Sequence, residues 1–138
     1  MRSRVDYDLD PYLAFLGMFA QQLKGHLDLL VLVVLAEGSA HGYAVISGLR
    51  GRSDGAFDLA EGTVYPVLHR LEAAGLVGSD WSTEGGRRRR VYALTAAGRR
   101  ALAEQQRGWD RFRAAMQAVL GPVGPTTATR TFATGAAR

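Results

Sequence analysis

The sequence predicts a mainly α-helical fold with one small β-hairpin, an α+β arrangement, and three observations carry that prediction. Apolar residues recur at helical spacing in several separate stretches, and glycines punctuate them. A single pair of short strand-like runs, Leu76 to Trp81 and Arg88 to Leu94, sits between the last two helical stretches. The chain has 138 residues, 47% hydrophobic and 22% charged, which bounds it to one globular domain with a modest core and an added arm.

Residues 1–21 read as an N-terminal arm, polar to Asp10 and then apolar, with Pro11 suited to the first position of a short helix. Two roles fit the arm, packing on the core or helping to cover a dimer interface. Leu23 to Glu37 reads as one helix, because Leu23, Leu27, Leu30, Val31 and Val34 follow the i, i+3, i+4 pattern and Gly38 supplies a stop. Ser39 to Gly42 is a tight connection into a second helix, roughly Tyr43 to Arg50, with Val45, Ile46 and Leu49 on its apolar face. Arg50 to Phe57, rich in Gly, Ser and Asp, reads as loop.

A third helix is expected from near Asp58. Asp58 and Glu61 have capping-box spacing, and Gly75 ends the helix. The hairpin follows, with Gly85 and Gly86 supplying the backbone freedom of its turn and Trp81 expected to anchor it to the body. Thr95 caps a long helix that runs to about Leu120, where Gly121 and Pro122 stop it. Residues 121–138 are poor in large apolar side chains and are expected to form a flexible tail. The organisation is therefore an arm (1–21), a compact helix-and-hairpin domain (22–94), a long helix (95–120) and a tail (121–138).

The net charge is +4, and its distribution says more than its size: from Ser82 to Arg100 there are six arginines against one acid, Glu84. Such a segment is the electrostatic footprint of a polyanionic partner. The chain has no cysteine, and His26, His41 and His69 lie far apart without ligand spacing, so neither disulfide nor metal chemistry is expected and no cofactor is implied. No apolar run approaches the ~20 residues that span a bilayer, and Asp6, Asp8 and Asp10 are unlike the basic start of a signal peptide. A cytoplasmic location without membrane contact is the expectation.

On a helical wheel, Val64, Leu68, Leu71 and Gly75 fall within about 60° and form the core face of the third helix. Thr63, Pro66 and Arg70 point the opposite way, Gly62 and His69 lie on one flank, and Tyr65 sits at the boundary. The outward face is small at its N-terminal end, so backbone can approach a groove, and Thr63, His69 and Arg70 can donate to phosphates or base edges. The plain alternative is an ordinary surface helix with one exposed arginine. Beside this helix lie four consecutive arginines, Arg87 to Arg90, on a strand. Alternation there allows only one pair to face a partner, while the other pairs with Asp80 or Glu84 or lies along the sheet. A groove-sized helix followed by a basic hairpin describes a winged helix-turn-helix, which makes sequence-directed DNA binding the leading expectation.

The segments L-K-G-H-L-D-L-L-V-L (23–32), H-G-Y (41–43), E-G-T-V-Y-P-V-L-H-R-L-E-A-A-G-L (61–76) and E-G-G-R-R-R-R-V-Y-A-L-T-A-A-G (84–98) closely resemble the PadR family of bacterial transcriptional regulators. The resemblance covers roughly residues 22–120. It implies a homodimeric winged-helix repressor with the third helix in the major groove and the wing on flanking backbone. On matching positions it implies a DNA face of Tyr43, Thr63, Tyr65, Pro66, His69 and Arg70, with Arg88, Arg89 and Arg90 on the wing. Where the family often has Ser or Thr before Glu-Gly-Thr, this chain has Ala60, and Asp58 is expected to take over the cap.

On the last helix, Leu102, Trp109 and Met116 are spaced by seven, as are Gln105, Phe112 and Val119, an a/d-like seam with one polar break. A single helix on a small domain is not expected to bury such a stripe by itself, so the seam reads as a dimer interface. Two-fold pairing would set two third helices about 34 Å apart, matching a palindromic operator on double-stranded DNA. Trp109 reads either as dimer core or, with Gln105, as the wall of a cavity for a planar aromatic effector, as in some relatives. The expected function is thus a DNA-binding regulator, a homodimeric repressor released by a small molecule. The alternative is a winged-helix protein–protein interaction module with its basic wing on an acidic partner. Enzymatic activity is not expected, because no nucleophile, base and orienter set or phosphate loop is visible.

Overall fold

The structure, a computed structural model, describes residues 11–122. Helix α1 (Pro11–Lys24) leads into α2 (Leu27–Ala36), a two-residue strand β1 (Ala40–His41), α3 (Gly42–Arg52) and α4 (Glu61–Ala73). The hairpin of β2 (Val77–Ser82) and β3 (Arg89–Leu94) follows, and α5 (Ala96–Leu120) closes the described chain. The polar start of the arm and the tail from residue 123 lie outside the described residues. Within α5 the chain divides between Ala103 and Glu104 into two compact units.

The core of the first unit forms where three helices present complementary apolar faces. Val31, Leu32, Val34 and Leu35 of α2 meet Val45, Ile46 and Leu49 of α3 and Val64, Val67, Leu68 and Leu71 of α4, all buried. Val77 and Tyr92 of the sheet close the cluster, and Leu102 of α5 is half-buried against it. The seam expected on α5 therefore has its first member partly covered within its own domain.

Two boundaries differ from the sequence expectation. The single helix expected over Leu23 to Glu37 is broken: α1 ends at Lys24, α2 begins at Leu27, and the two meet at a 63° bend. The apolar pattern runs unbroken across the bend, which is why periodicity alone hid it. Among the described residues no single helix is long and apolar enough to cross a membrane. Phe19 of α1 lies against Phe57, with ring centroids 5.7 Å apart, so the arm contacts its own domain.

The second difference is at the start of α4. Its N-cap is Ala60, without a side-chain cap, and Asp58 is not a capping residue. Asp58 Oδ1 accepts instead from both Arg50 Nε at 3.0 Å and Nη2 at 2.7 Å, a charge-assisted contact that ties the end of α3 to the loop before α4. That hydrogen bond, foremost, raises the Arg50 pKa.

The hairpin expected from the sequence is part of a three-stranded antiparallel sheet of order β1-β3-β2. Ala40 pairs with Tyr92 and His41 with Val91, so the connection before α3 is hydrogen-bonded to the wing. On the other side Val77 pairs with Leu94 and Trp81 with Arg90. A 3₁₀ turn, Glu84–Gly86, joins β2 to β3, with Gly85 and Gly86 both at φ +76, in the left-handed region that glycine adopts without strain.

Helix α5 is fixed to the sheet at its first turn. Thr95 Oγ1 accepts from the Gly98 amide at 3.0 Å, the cap expected from the sequence, and donates to the Gly75 carbonyl at 2.7 Å. Gly98 is required here, since a β-carbon would stand 1.9 Å from the Leu76 carbonyl oxygen.

Candidate nucleic-acid interface

Helix α4 carries the outward face that its periodicity predicts. Val64, Leu68 and Leu71 are buried, joined by Val67, while Gly62, Thr63, Pro66, His69 and Arg70 are exposed. Tyr65 is half-buried, and its ring lies 6.4 Å from that of His69. Pro66 lies inside the helix on the exposed side, and the residue whose carbonyl it cannot bond, Gly62, is itself exposed. Arg70 reaches back to Asp28 of α2 in an ion pair. The Arg70 side chain is exposed and that of Asp28 part-exposed, so parting them costs only about 0.2–1 kcal/mol and Arg70 stays available to a partner.

The H-G-Y segment at the start of α3 assigns one task to each residue. His41 is the N-cap, its Nδ1 accepting from the Ala44 amide at 3.2 Å. Gly42 makes room for the Tyr65 ring, and Tyr43 is 60% exposed beside it. Tyr43, Tyr65 and His41 line one side of a concavity of about 450 Å³ whose other side is the wing, Trp81 and the four arginines. Folding thus brings Tyr43, Tyr65 and Arg88 to Arg90 around one hollow. No carboxylate lines it among the described residues.

The arginines are not equivalent. Arg90 donates from Nε to Ser79 Oγ at 2.7 Å, and its Nη2 stands 3.5 Å from Glu72 Oε1, while Ser79 donates to Glu72. Neither Asp80 nor Glu84, the partners the sequence offered, takes a wing arginine; Glu72 of α4 does. Arg88 and Arg90 both cover Trp81, with guanidinium carbons 4.4 Å and 5.5 Å from a ring centroid. Arg89 points to the other face of the strand, where its Nη1 stands 3.0 Å from His41 Nε2.

Trp81 does not anchor the hairpin to the body. It is 56% exposed and serves as a platform for the two guanidinium groups. Strand parity explains this: Val77, Ser79 and Trp81 share one face, of which Val77 reaches the core and Trp81 lies beyond it, under arginine. Sequence reasoning also passed over His41, whose position before Gly42-Tyr43 was the available signal.

In the second unit, Trp109, Phe112, Met116 and Val119 present an exposed apolar stripe along α5, and Gln105 is half-buried. The Trp109 and Phe112 rings lie 6.1 Å apart, tilted by 36°.

A helical core, a solvent-facing α4 and a three-stranded sheet with a basic hairpin define a winged helix-turn-helix protein. The sequence profile of the transcriptional regulator PadR-like family matches residues 31–104, and the chain belongs to that family. A transcriptional regulator of Mycobacterium tuberculosis is 45% identical over 74 residues, 54% of this chain and 56% of that one, so the chain matches little more than half of that relative's length. Among solved structures, a PadR family regulator from Eggerthella lenta is 31% identical, has a TM-score of 0.68 and aligns over 81% of this chain and 97% of its own. A regulator from Clostridium thermocellum, 25% identical, has a TM-score of 0.68 and aligns over 73% and 99%.

Proposed function

We propose that this chain is a homodimeric repressor that binds a palindromic operator on double-stranded DNA and is released by a planar aromatic effector. The observation that carries the DNA reading is the arginine-lined concavity between the α3–α4 surface and the wing, continuous in function with the exposed Thr63, Pro66, His69 and Arg70. In this reading α4 enters the major groove: Thr63, His69 and Arg70 reach base edges, Tyr43 and Tyr65 reach flanking phosphates, and the wing neutralises the backbone. Arg70 exchanges its Asp28 partner for a base or phosphate on docking.

Dimerisation runs along α5. Trp109, Phe112, Met116 and Val119 supply the seam, with Leu102 at the end nearest the wing domain. The effector site lies on the same helix: the exposed Trp109 ring offers a stacking surface and Gln105 a polar contact. A ligand there releases DNA if it favours a different spacing of the two α4 helices.

Gel retardation on DNA upstream of the coding sequence, at two salt concentrations, tests the reading. Binding should weaken steeply with salt, with a log–log slope of about −0.9 per neutralised phosphate. Arg70→Ala should relax sequence preference. Absence of any retarded species at low salt overturns the proposal.

A further inference from the structure

The histidine that caps α3 poses a hydrogen-bonding problem. A neutral imidazole carries one N–H and one lone-pair nitrogen. The Ala44 amide donates to His41 Nδ1 at 3.2 Å, and an amide N–H has no other role, so Nδ1 holds the lone pair and the proton sits on Nε2. Arg89 Nη1 stands 3.0 Å from that same Nε2, and a guanidinium only donates. Two N–H donors therefore converge at hydrogen-bond distance with no acceptor between them. The other tautomer would satisfy Arg89 only by leaving the Ala44 amide without its cap. A doubly protonated ring would lose both interactions.

One anionic oxygen beside the pair removes the conflict, accepting from Nε2–H and Nη1–H together while the cap stays intact. The surroundings fit such an oxygen. Both side chains line the concavity between helices and wing, Tyr43 and Arg87 share it, and no carboxylate does among the described residues. Arg89, unlike Arg90, contacts no acid among the described residues. The geometry points to a phosphate site formed jointly by His41 and Arg89, which takes one phosphodiester oxygen of the bound DNA. This rests on the DNA-binding reading and adds His41 to it as a backbone contact. It also joins the α3 cap to the wing through a single phosphate. The strand pairing of His41 with Val91 holds the two donors in register before DNA arrives.

The test uses the full chain, the upstream DNA and inorganic phosphate as separate probes. His41→Asn keeps a strong N-cap residue and removes Nε2, so the thermal melt should be unchanged while DNA affinity falls by roughly tenfold, the scale of one hydrogen bond to a charged group. The neutral change should leave the salt slope alone, whereas Arg89→Ala should reduce its magnitude by about 0.9. The double variant should bind little worse than Arg89→Ala, since both side chains hold the same oxygen. Long-range nitrogen–proton NMR on the histidine ring, assigned with the Asn variant, should show the Nε2–H tautomer with DNA bound. An Nδ1–H ring in the complex, or His41→Asn binding DNA as tightly as the native chain, overturns the inference and leaves the DNA reading standing. If the native chain retards no DNA yet inorganic phosphate shifts the His41 signal, the DNA reading falls, and DNA as the source of the phosphate falls with it.

Discussion

The Tyr65 ring occupies the space that a side chain at position 42 would need: a β-carbon on Gly42 would stand 2.6 Å from Tyr65 Cζ and 2.8 Å from its hydroxyl oxygen. This close approach locks the start of α3 to the outward flank of α4. Gly42→Ala is expected to destabilise the domain by about 1–3 kcal/mol, the usual range for overpacking. Adding Tyr65→Ala should recover much of that loss in urea denaturation without restoring DNA affinity.

The wing arginines should separate by function. Arg90 is held by Ser79, Glu72 and the Trp81 ring, so Arg90→Ala should leave the salt slope of DNA binding nearly unchanged. Its cost in stability should stay below about 1 kcal/mol, because the ion pair is part-exposed. Arg87→Ala should instead flatten the slope by about 0.9, as for one lost phosphate contact. Equal slope changes for Arg87 and Arg90 would contradict the division.

Tyr92 gives the fold an alkaline limit. Burial, the largest cause, pushes its phenol above the ordinary value of 10.0, with Arg90 acting against the shift and Glu72 reinforcing it. The folded chain therefore holds this proton more tightly than the unfolded chain does. The resulting stabilisation is complete below the unfolded value and is lost as pH rises through the folded one. Chemical denaturation from pH 9 to 11.5 should show falling stability at the upper end, and Tyr92→Phe should remove that part of the fall.

The α5 seam predicts an assembly change. Phe112→Glu combined with Val119→Glu places charge on an exposed apolar stripe and should convert the proposed dimer to a monomer in analytical ultracentrifugation. Far-ultraviolet circular dichroism should stay helical. Operator affinity should fall steeply, since two linked reading heads gain from each other's binding.

The parts of the fold legible in the sequence are those set by local repeat or by single-residue chemistry. The apolar face of α4, the Thr95 cap and the Gly85-Gly86 turn are of this kind. Strand β1 was not legible, because Ala40 and His41 become a strand only through pairing with β3 about fifty residues later. Asp58 illustrates the same limit: its spacing to Glu61 is visible locally, whereas the Arg50 fork that takes it depends on how α3 ends. The candidate site followed the same division. The exposed residues of α4 could be read from the wheel, but the sorting of four identical arginines required the positions of Glu72, Trp81 and His41.

The Glu72–Ser79–Arg90 network and the β1–β3 pairing fasten the hairpin to α4 at one side and to α3 at the other. In the proposed DNA complex the fold therefore behaves as a ruler: the offset between the base edges facing α4 and the backbone facing the wing is set by covalent chain and sheet register. On that proposal, a drifting operator sequence can be followed by exchanging side chains on α4, one base at a time. A change in that offset cannot be followed in the same way, because it would require the sheet to be rebuilt.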